Sequence, residues 1–204
     1  MTWPYSRYAM LILWMIAASS LVFALVAPAL ATEPREFILS NGMKVLLVEV
    51  PKAPVATVQV WYKVGSRNEV MGRAGLSHML EHMMFKGTAK YPKGTFSRLI
   101  RKNGGTDNAF TSQDFTAYFE NLAADRVDLA LELEADRMQG LLLDLSELTT
   151  EREVVKEERR LRAEDDPQGA LVEALFAQAY LSHPYHWPVI GWFGDLDAMT
   201  LDDL

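Results

Sequence analysis

The spacing of apolar residues divides the chain into short strands and longer helices. The runs that predict strands are rich in β-branched and aromatic residues, and they cover residues 35–39, 44–50, 55–64, 108–111 and 115–121. Apolar residues at helical spacing predict helices over 75–85, 95–103, 125–142, 150–163 and 167–180, and a loop is expected over 182–191. The turn Ser40-Asn41-Gly42 predicts that the first two strands form a hairpin. This order favours an α+β fold with a largely antiparallel sheet covered by helices.

The first thirty-one residues have the pattern of a secretory signal peptide. Arg7 precedes an uncharged run over residues 8–30, and the run ends in the small-x-small sequence Ala29-Leu30-Ala31. We therefore expect cleavage after Ala31, which makes residues 32–204 the mature domain. An uncleaved anchor is the alternative, since the run is long enough to cross a bilayer. Either form predicts an exported protein, periplasmic or secreted, and only the anchored form would touch a membrane.

Composition limits the kinds of site that the chain can hold. It contains no cysteine, so thiol nucleophiles, disulfides and cysteine-ligated metals are excluded. The 20 basic and 27 acidic residues give a net charge of −7, which disfavours nucleic acid as a partner. The basic group Arg159-Arg160-x-Arg162 lies among acids and predicts a solvated helix face of mixed charge. Any metal must be held by His, Asp or Glu.

The segment His78-Met79-Leu80-Glu81-His82 is the main candidate for chemistry. In a helix that turns about 100° per residue, His82 lies about 40° to one side of His78 and Glu81 about 60° to the other. Two imidazoles on one face can bind one metal ion, and the adjacent carboxylate can reach a water molecule on that ion. This order of residues is the inverted zincin signature.

A catalytic zinc needs three protein ligands and one open position, so the motif leaves one ligand to be found. His183, His186 or a carboxylate could supply it. Glu151 and Glu158 are seven residues apart on the predicted helix from residue 150, and they share a face with apolar residues. Burying an acid costs free energy unless the acid is paired or binds a metal. This cost favours Glu151 and Glu158 as candidates for the third ligand, but it does not choose between them. The other glutamates of the same helix are expected to be solvated: Glu153 and Glu157.

Taken together, these motifs resemble the M16 metallopeptidases, the family of pitrilysin, insulysin and the mitochondrial processing peptidases. The resemblance covers about residues 36–204. It is carried by the HxxEH motif, the segment Glu151-Arg-Glu-Val-Val-Lys-Glu-Glu158, Asn41-Gly-Met-Lys-Val45, Met84-Phe-Lys-Gly-Thr88, Gly105-x-x-Asn-Ala-Phe-Thr111 and His183-Pro-Tyr185.

The resemblance implies roles for residues at matching positions. It implies one zinc ion per chain held by His78, His82 and Glu158, with Glu81 as the general base. It also assigns Glu151 to the catalytic residues, as the acidic residue that supports the ligands from just outside the set. The donor set itself prefers zinc only weakly over manganese or cobalt.

The resemblance also implies the substrate, its binding mode and a partner. Asn108 and Ala109 would lie on an edge strand that pairs with the substrate backbone. The predicted function is a zinc endopeptidase acting on peptides or unfolded proteins. The family forms a clamshell of two halves, so we expect a second half or a partner subunit. Two alternatives remain: a non-catalytic M16-like subunit, and a truncated, inactive product. The helix-start signal Thr200-x-x-Asp203 so near the last residue motivates the second.

Overall fold

The computed structural model describes residues 33–204, and the predicted signal peptide lies outside the described residues. The described residues divide into two compact units, 33–53 and 54–204. In the first unit, β1 (Arg35–Ile38) and β2 (Lys44–Leu47) form the predicted antiparallel hairpin. Gly42 has φ +85° in its turn, a conformation that glycine adopts without steric cost. In the described part of the chain, no helix has the length and apolar character needed to cross a membrane.

The second unit is built on a three-stranded antiparallel sheet. Its strands are β3 (Val55–Tyr62), β4 (Thr106–Thr111) and β5 (Thr116–Ala123), in the order β3-β5-β4. The central strand β5 pairs with both neighbours, and Tyr118 lies opposite Val60 on one side and Ala109 on the other. Strand β4 is therefore a sheet edge within residues 33–204. The predicted α+β class with antiparallel pairing is confirmed.

Among the residues that the structure describes, six α-helices accompany this sheet, five of them overlapping the predicted ones and the last without a prediction. They are α1 (Leu76–Met83), α2 (Thr95–Lys102), α3 (Val127–Gly140), α4 (Leu145–Arg159), α5 (Pro167–Ala179) and α6 (Phe193–Ala198). The predicted start of α4 at Thr150 is wrong. The Asp144 carboxylate accepts hydrogen bonds from the backbone N–H groups of Ser146 and Glu147, and so caps the helix several residues earlier. Thr150 lies within the helix and donates to the Ser146 carbonyl.

The core packs α1 against α4 and α6. Met79 and Met83 from α1, Leu148 and Val155 from α4, and Leu196 from α6 are all fully buried. Burying one such side chain stabilises the fold by about 1.5–3 kcal/mol. Because Met79 and Met83 occupy the inner face of α1, the rotation of that helix is fixed. His78 and His82, each one residue earlier, lie about 100° around the helix from these methionines.

Arg159 departs from the predicted solvated face. Its guanidinium is 6% exposed and forms two hydrogen bonds of 2.8 Å to the Glu173 carboxylate of α5. It also lies within about 5 Å of the rings of Trp192 and Phe193. The prediction is therefore wrong at Arg159, because its acidic partner comes from the next helix rather than from its own.

Candidate metal centre

The start of α1 is held by groups outside the helix. The Glu69 carboxylate accepts hydrogen bonds from the N–H groups of Gly75 (2.8 Å) and Ser77 (2.7 Å). An acid at a helix N-terminus also interacts favourably with the helix dipole. Gly75 has φ +90°, and a Cβ there would lie 2.8 Å from the Gly191 Cα. These contacts fix the first turn of α1, which carries His78.

Two imidazoles and one carboxylate converge on a point between α1 and α4. Glu158 Oε2 lies 3.7 Å from His78 Nε2 and 3.4 Å from His82 Nε2. One ligand atom from each of the three residues lies within 4.8 Å of the others. His78 is 6% exposed, so the group is shielded from most solvent. Of the two candidates left by the spacing, Glu158 is therefore the one that lies opposite both rings.

The two distances from Glu158 Oε2 to the imidazole nitrogens fit a shared zinc ion. Tetrahedral ligands bound at about 2.0–2.1 Å lie about 3.3–3.4 Å apart, close to the observed 3.4 and 3.7 Å. The donor set of two imidazoles and one carboxylate is also one that catalytic zinc uses. The residues present therefore fit the ion that the sequence implies.

The other histidines do not join the group. His183 Nδ1 accepts a hydrogen bond from the Tyr185 N–H at 3.2 Å. His186 Nδ1 lies 2.9 Å from the Tyr180 carbonyl oxygen. Both therefore have backbone partners in the loop after α5, and neither is the third ligand of this arrangement.

Glu151 lies behind His82 rather than beside the convergence point. Its Oε2 lies 3.0 Å from His82 Nδ1, and its Oε1 accepts a hydrogen bond from Lys86 Nζ. Burial would raise the pKa of Glu151, but Lys86 and His82 outweigh it and the net shift is downward. An ionised Glu151 holds the proton of His82 on Nδ1, which leaves the Nε2 lone pair free to bind a metal. Sequence reasoning missed Lys86, because this contact joins residues 65 positions apart.

Glu81 projects into the same cleft from the other side of His78. It is 9% exposed, and the Thr111 hydroxyl donates a hydrogen bond of 2.5 Å to its Oε2. Burial raises the pKa of Glu81. Thr111 ends β4, so the edge strand and the candidate base are in direct contact. Thr111 was not among the residues that sequence reasoning singled out for chemistry.

The two imidazoles differ in their affinity for protons. Burial, reinforced by the neighbouring His82, lowers the pKa of His78 to about 4. Burial would also lower the pKa of His82, but the carboxylates of Glu158 and Glu151 outweigh it and raise it. His78 is therefore neutral at pH 7, in the form that binds metals. His82 binds its proton more tightly, so a metal must compete with that proton.

These residues line a cleft of about 680 Å³. Asn108 and Ala109 of β4 form part of its wall, together with apolar side chains such as Phe110, Phe176 and Trp187. Both predicted substrate-binding residues therefore border the same space as the candidate metal ligands.

Comparison with known proteins places this chain in a family. The family model described as insulinase (peptidase family M16) matches residues 44–191, well over half of the chain. The chain is a member of peptidase family M16. The zinc protease PqqE of Helicobacter pylori is 45% identical over 167 residues, which is 81% of this chain and 38% of that protein. An uncharacterized zinc protease of Mycobacterium bovis, Mb2805c, is 35% identical over 85% of this chain and 39% of its own length.

Solved M16 structures share the fold. A protease from Helicobacter pylori matches with a TM-score of 0.81 and 44% identity, over 84% of this chain and 41% of that one. Pitrilysin matches with a TM-score of 0.70 and 28% identity, over 83% of this chain and 18% of its own. The resemblance seen in the sequence is therefore confirmed, and the matched region is the N-terminal portion of an M16 peptidase. This M16 chain spans about two-fifths of the length of the curated relatives named above.

Proposed function

We propose that this chain carries the zinc centre of an exported endopeptidase that hydrolyses peptides or unfolded proteins. The observation that carries the proposal is the convergence of His78 Nε2, His82 Nε2 and Glu158 Oε2 at distances that fit one zinc ion. Relatives named zinc proteases support the choice of metal and reaction. Export is proposed from the signal sequence alone.

Three side chains would hold the ion and a fourth would orient one of them. His78, His82 and Glu158 would be its protein ligands, at one ion per chain, and Glu151 would keep the tautomer of His82 correct through the 3.0 Å contact. When bound, zinc supplies Lewis acidity, which acidifies water and polarises a carbonyl group.

Glu81 would move the proton. Its carboxylate would take a proton from the attacking water and return it to the leaving amide nitrogen when the C–N bond breaks. The upward shift of its pKa by burial makes the protonated form more accessible near neutral pH, which helps the return step. The hydrogen bond from Thr111 would hold one carboxylate oxygen while the other faces the cleft.

The edge of β4 would bind the substrate backbone. An extended peptide added to this edge gains main-chain hydrogen bonds whatever its sequence, which favours unfolded chains and a broad range of sequences. Asn108 and Ala109 belong to this strand and line the cleft, so a peptide bound there would pass the proposed zinc ligands. Since the chain spans about two-fifths of its relatives, a second M16-like half or a partner subunit would enclose the bound peptide.

The test combines metal analysis with a peptide assay. The purified chain should contain about one zinc, and it should cleave a quenched fluorescent peptide in a reaction that a chelator stops and added zinc restores. The Glu81→Gln variant should keep its zinc and lose about 10²-fold or more of the rate. Zinc uptake without any cleavage would favour one of the two alternatives, a non-catalytic subunit or a truncated, inactive product. Normal cleavage by Glu81→Gln would refute the assigned base.

A further inference from the structure

We infer that Arg162 is a positioning residue that holds Glu158 so that only one of its oxygens faces the two histidines. The inference rests on the proposed function and adds Arg162 to the residues of the proposed metal site. Glu158 Oε2 faces both imidazoles, whereas Oε1 forms an ion pair with Arg162 Nη2 at 2.7 Å. The two oxygens of one carboxylate therefore have separate partners.

The backbone around Arg162 forms an irregular turn, and the packing of α5 on this turn fixes the position of the Arg162 main chain. After α4 the chain continues as a π-helical turn over Arg160–Glu164, in which the Asp165 N–H donates to the Arg160 carbonyl at 2.8 Å. The first turn of α5 packs directly on this segment, because a Cβ at Gly169 would lie 1.9 Å from the Arg162 carbonyl oxygen. Such turns are rare and occur frequently at functional sites. The base of the Arg162 side chain is thus held even though the side chain is 69% exposed.

The contact matters for coordination more than for stability. An exposed ion pair contributes little to folding, but the acid here is 22% exposed and its second oxygen belongs to the candidate metal site. With Oε1 paired to a guanidinium, Oε2 is the oxygen that Glu158 presents to a metal. A single oxygen from Glu158 keeps the protein donor atoms at three and leaves a position open for water. Arg162 also lines the cleft, so no other element separates it from the site.

Arg160 provides a matched control. It lies in the same π-turn, is half-exposed and pairs with Glu157, which is 56% exposed and is not among the residues that line the cleft. The variants Arg162→Gln and Arg160→Gln remove the same charge from the same turn. In competition with a chromophoric chelator, we expect Arg162→Gln to bind zinc about tenfold more weakly than the parent chain and Arg160→Gln to match the parent.

Replacing zinc by cobalt gives a spectroscopic measurement that would not change if Arg162 served only to stabilise the fold. The visible spectrum of the Co²⁺-loaded chain reports coordination number, so it should change in Arg162→Gln, where Oε1 is released, and stay unchanged in Arg160→Gln. Arg162→Lys keeps the charge with a shorter, single-point donor and should recover part of the zinc affinity. If circular dichroism showed that Arg162→Gln does not fold, Arg162→Lys would be compared with Arg160→Gln in its place.

The outcomes separate the inference from the function on which it rests. Parental zinc affinity and an unchanged cobalt spectrum in the Arg162 variants would overturn the inference and leave the proposed function standing. A parent chain that bound no zinc would contradict both. Equal losses in the Arg162 and Arg160 variants would also overturn the inference, since they would reflect general charge rather than the ion pair with Glu158.

Discussion

Replacing Glu151 by glutamine tests the contact behind His82. The substitution keeps the shape of the side chain and removes its charge, so His82 Nδ1 loses an ionic partner at 3.0 Å. Groups that orient a metal-bound histidine are worth about 10- to 100-fold in metal affinity. We therefore expect zinc affinity to fall by that factor, measured by chelator competition at pH 7.5.

The same variant should also be less stable, for a different reason. Lys86 is 12% exposed and its ammonium group contacts the Glu151 carboxylate, so Glu151→Gln leaves a largely buried cation without its main anion. A lost hydrogen bond to a charged group of this kind costs about 2 kcal/mol. For a domain of this size the melting temperature should fall by about 4–8 °C.

Two further variants separate these effects. Glu153→Gln removes the same charge from an exposed position on α4, where Glu153 is 68% exposed, and should change neither quantity. The double variant Lys86→Met/Glu151→Gln removes the unpaired cation as well, so stability should return while zinc affinity stays low. Parental zinc affinity in Glu151→Gln would refute the assigned role of Glu151.

Three other predictions concern pH and packing. Zinc should dissociate as the pH falls from 7.5 to 5.5, because the raised pKa of His82 lets protons displace the metal, and dialysis with metal analysis would show it; full retention at pH 5.5 would contradict this. Burial and the nearby Glu134 raise the pKa of Glu120 from 4.5 to about 9, so the folded chain holds a proton that the unfolded chain releases. Stability should therefore fall as pH rises from about 5 to 9, and urea titrations of Glu120→Gln should show a weaker pH dependence. Met83→Ala should cost about 3 kcal/mol and lower the melting temperature by about 6–12 °C, since Met83 is fully buried; a loss below 1 kcal/mol would refute its place in the core.

Local patterns were enough to locate most strands and the helix that carries the HxxEH motif. The hairpin turn and the placement of His78, Glu81 and His82 on one helix face follow from geometry within a few residues. The start of α4 was missed because the chain holds two similar capping signals, Asp144-x-x-Glu147 and Thr150-x-x-Glu153. The burial of Leu148, which only tertiary packing decides, selects the first of them.

Contacts between distant elements could not be predicted in this way. Spacing on α4 left Glu151 and Glu158 equivalent, and only the packing of α1 on α4 places one opposite both imidazoles and the other behind His82. Lys86 and Thr111 reach the site through contacts 65 and 30 residues away in sequence. Side chains that complete a site after folding carry no periodic signal.

Zinc-edge anomalous scattering from crystals of the zinc-loaded chain tests the central claim most directly. The account predicts one strong peak, about 2.0–2.2 Å from His78 Nε2, His82 Nε2 and Glu158 Oε2, with a solvent molecule as the remaining ligand. A peak elsewhere, or one with the Glu158 carboxylate turned away and another protein group in its place, would contradict it.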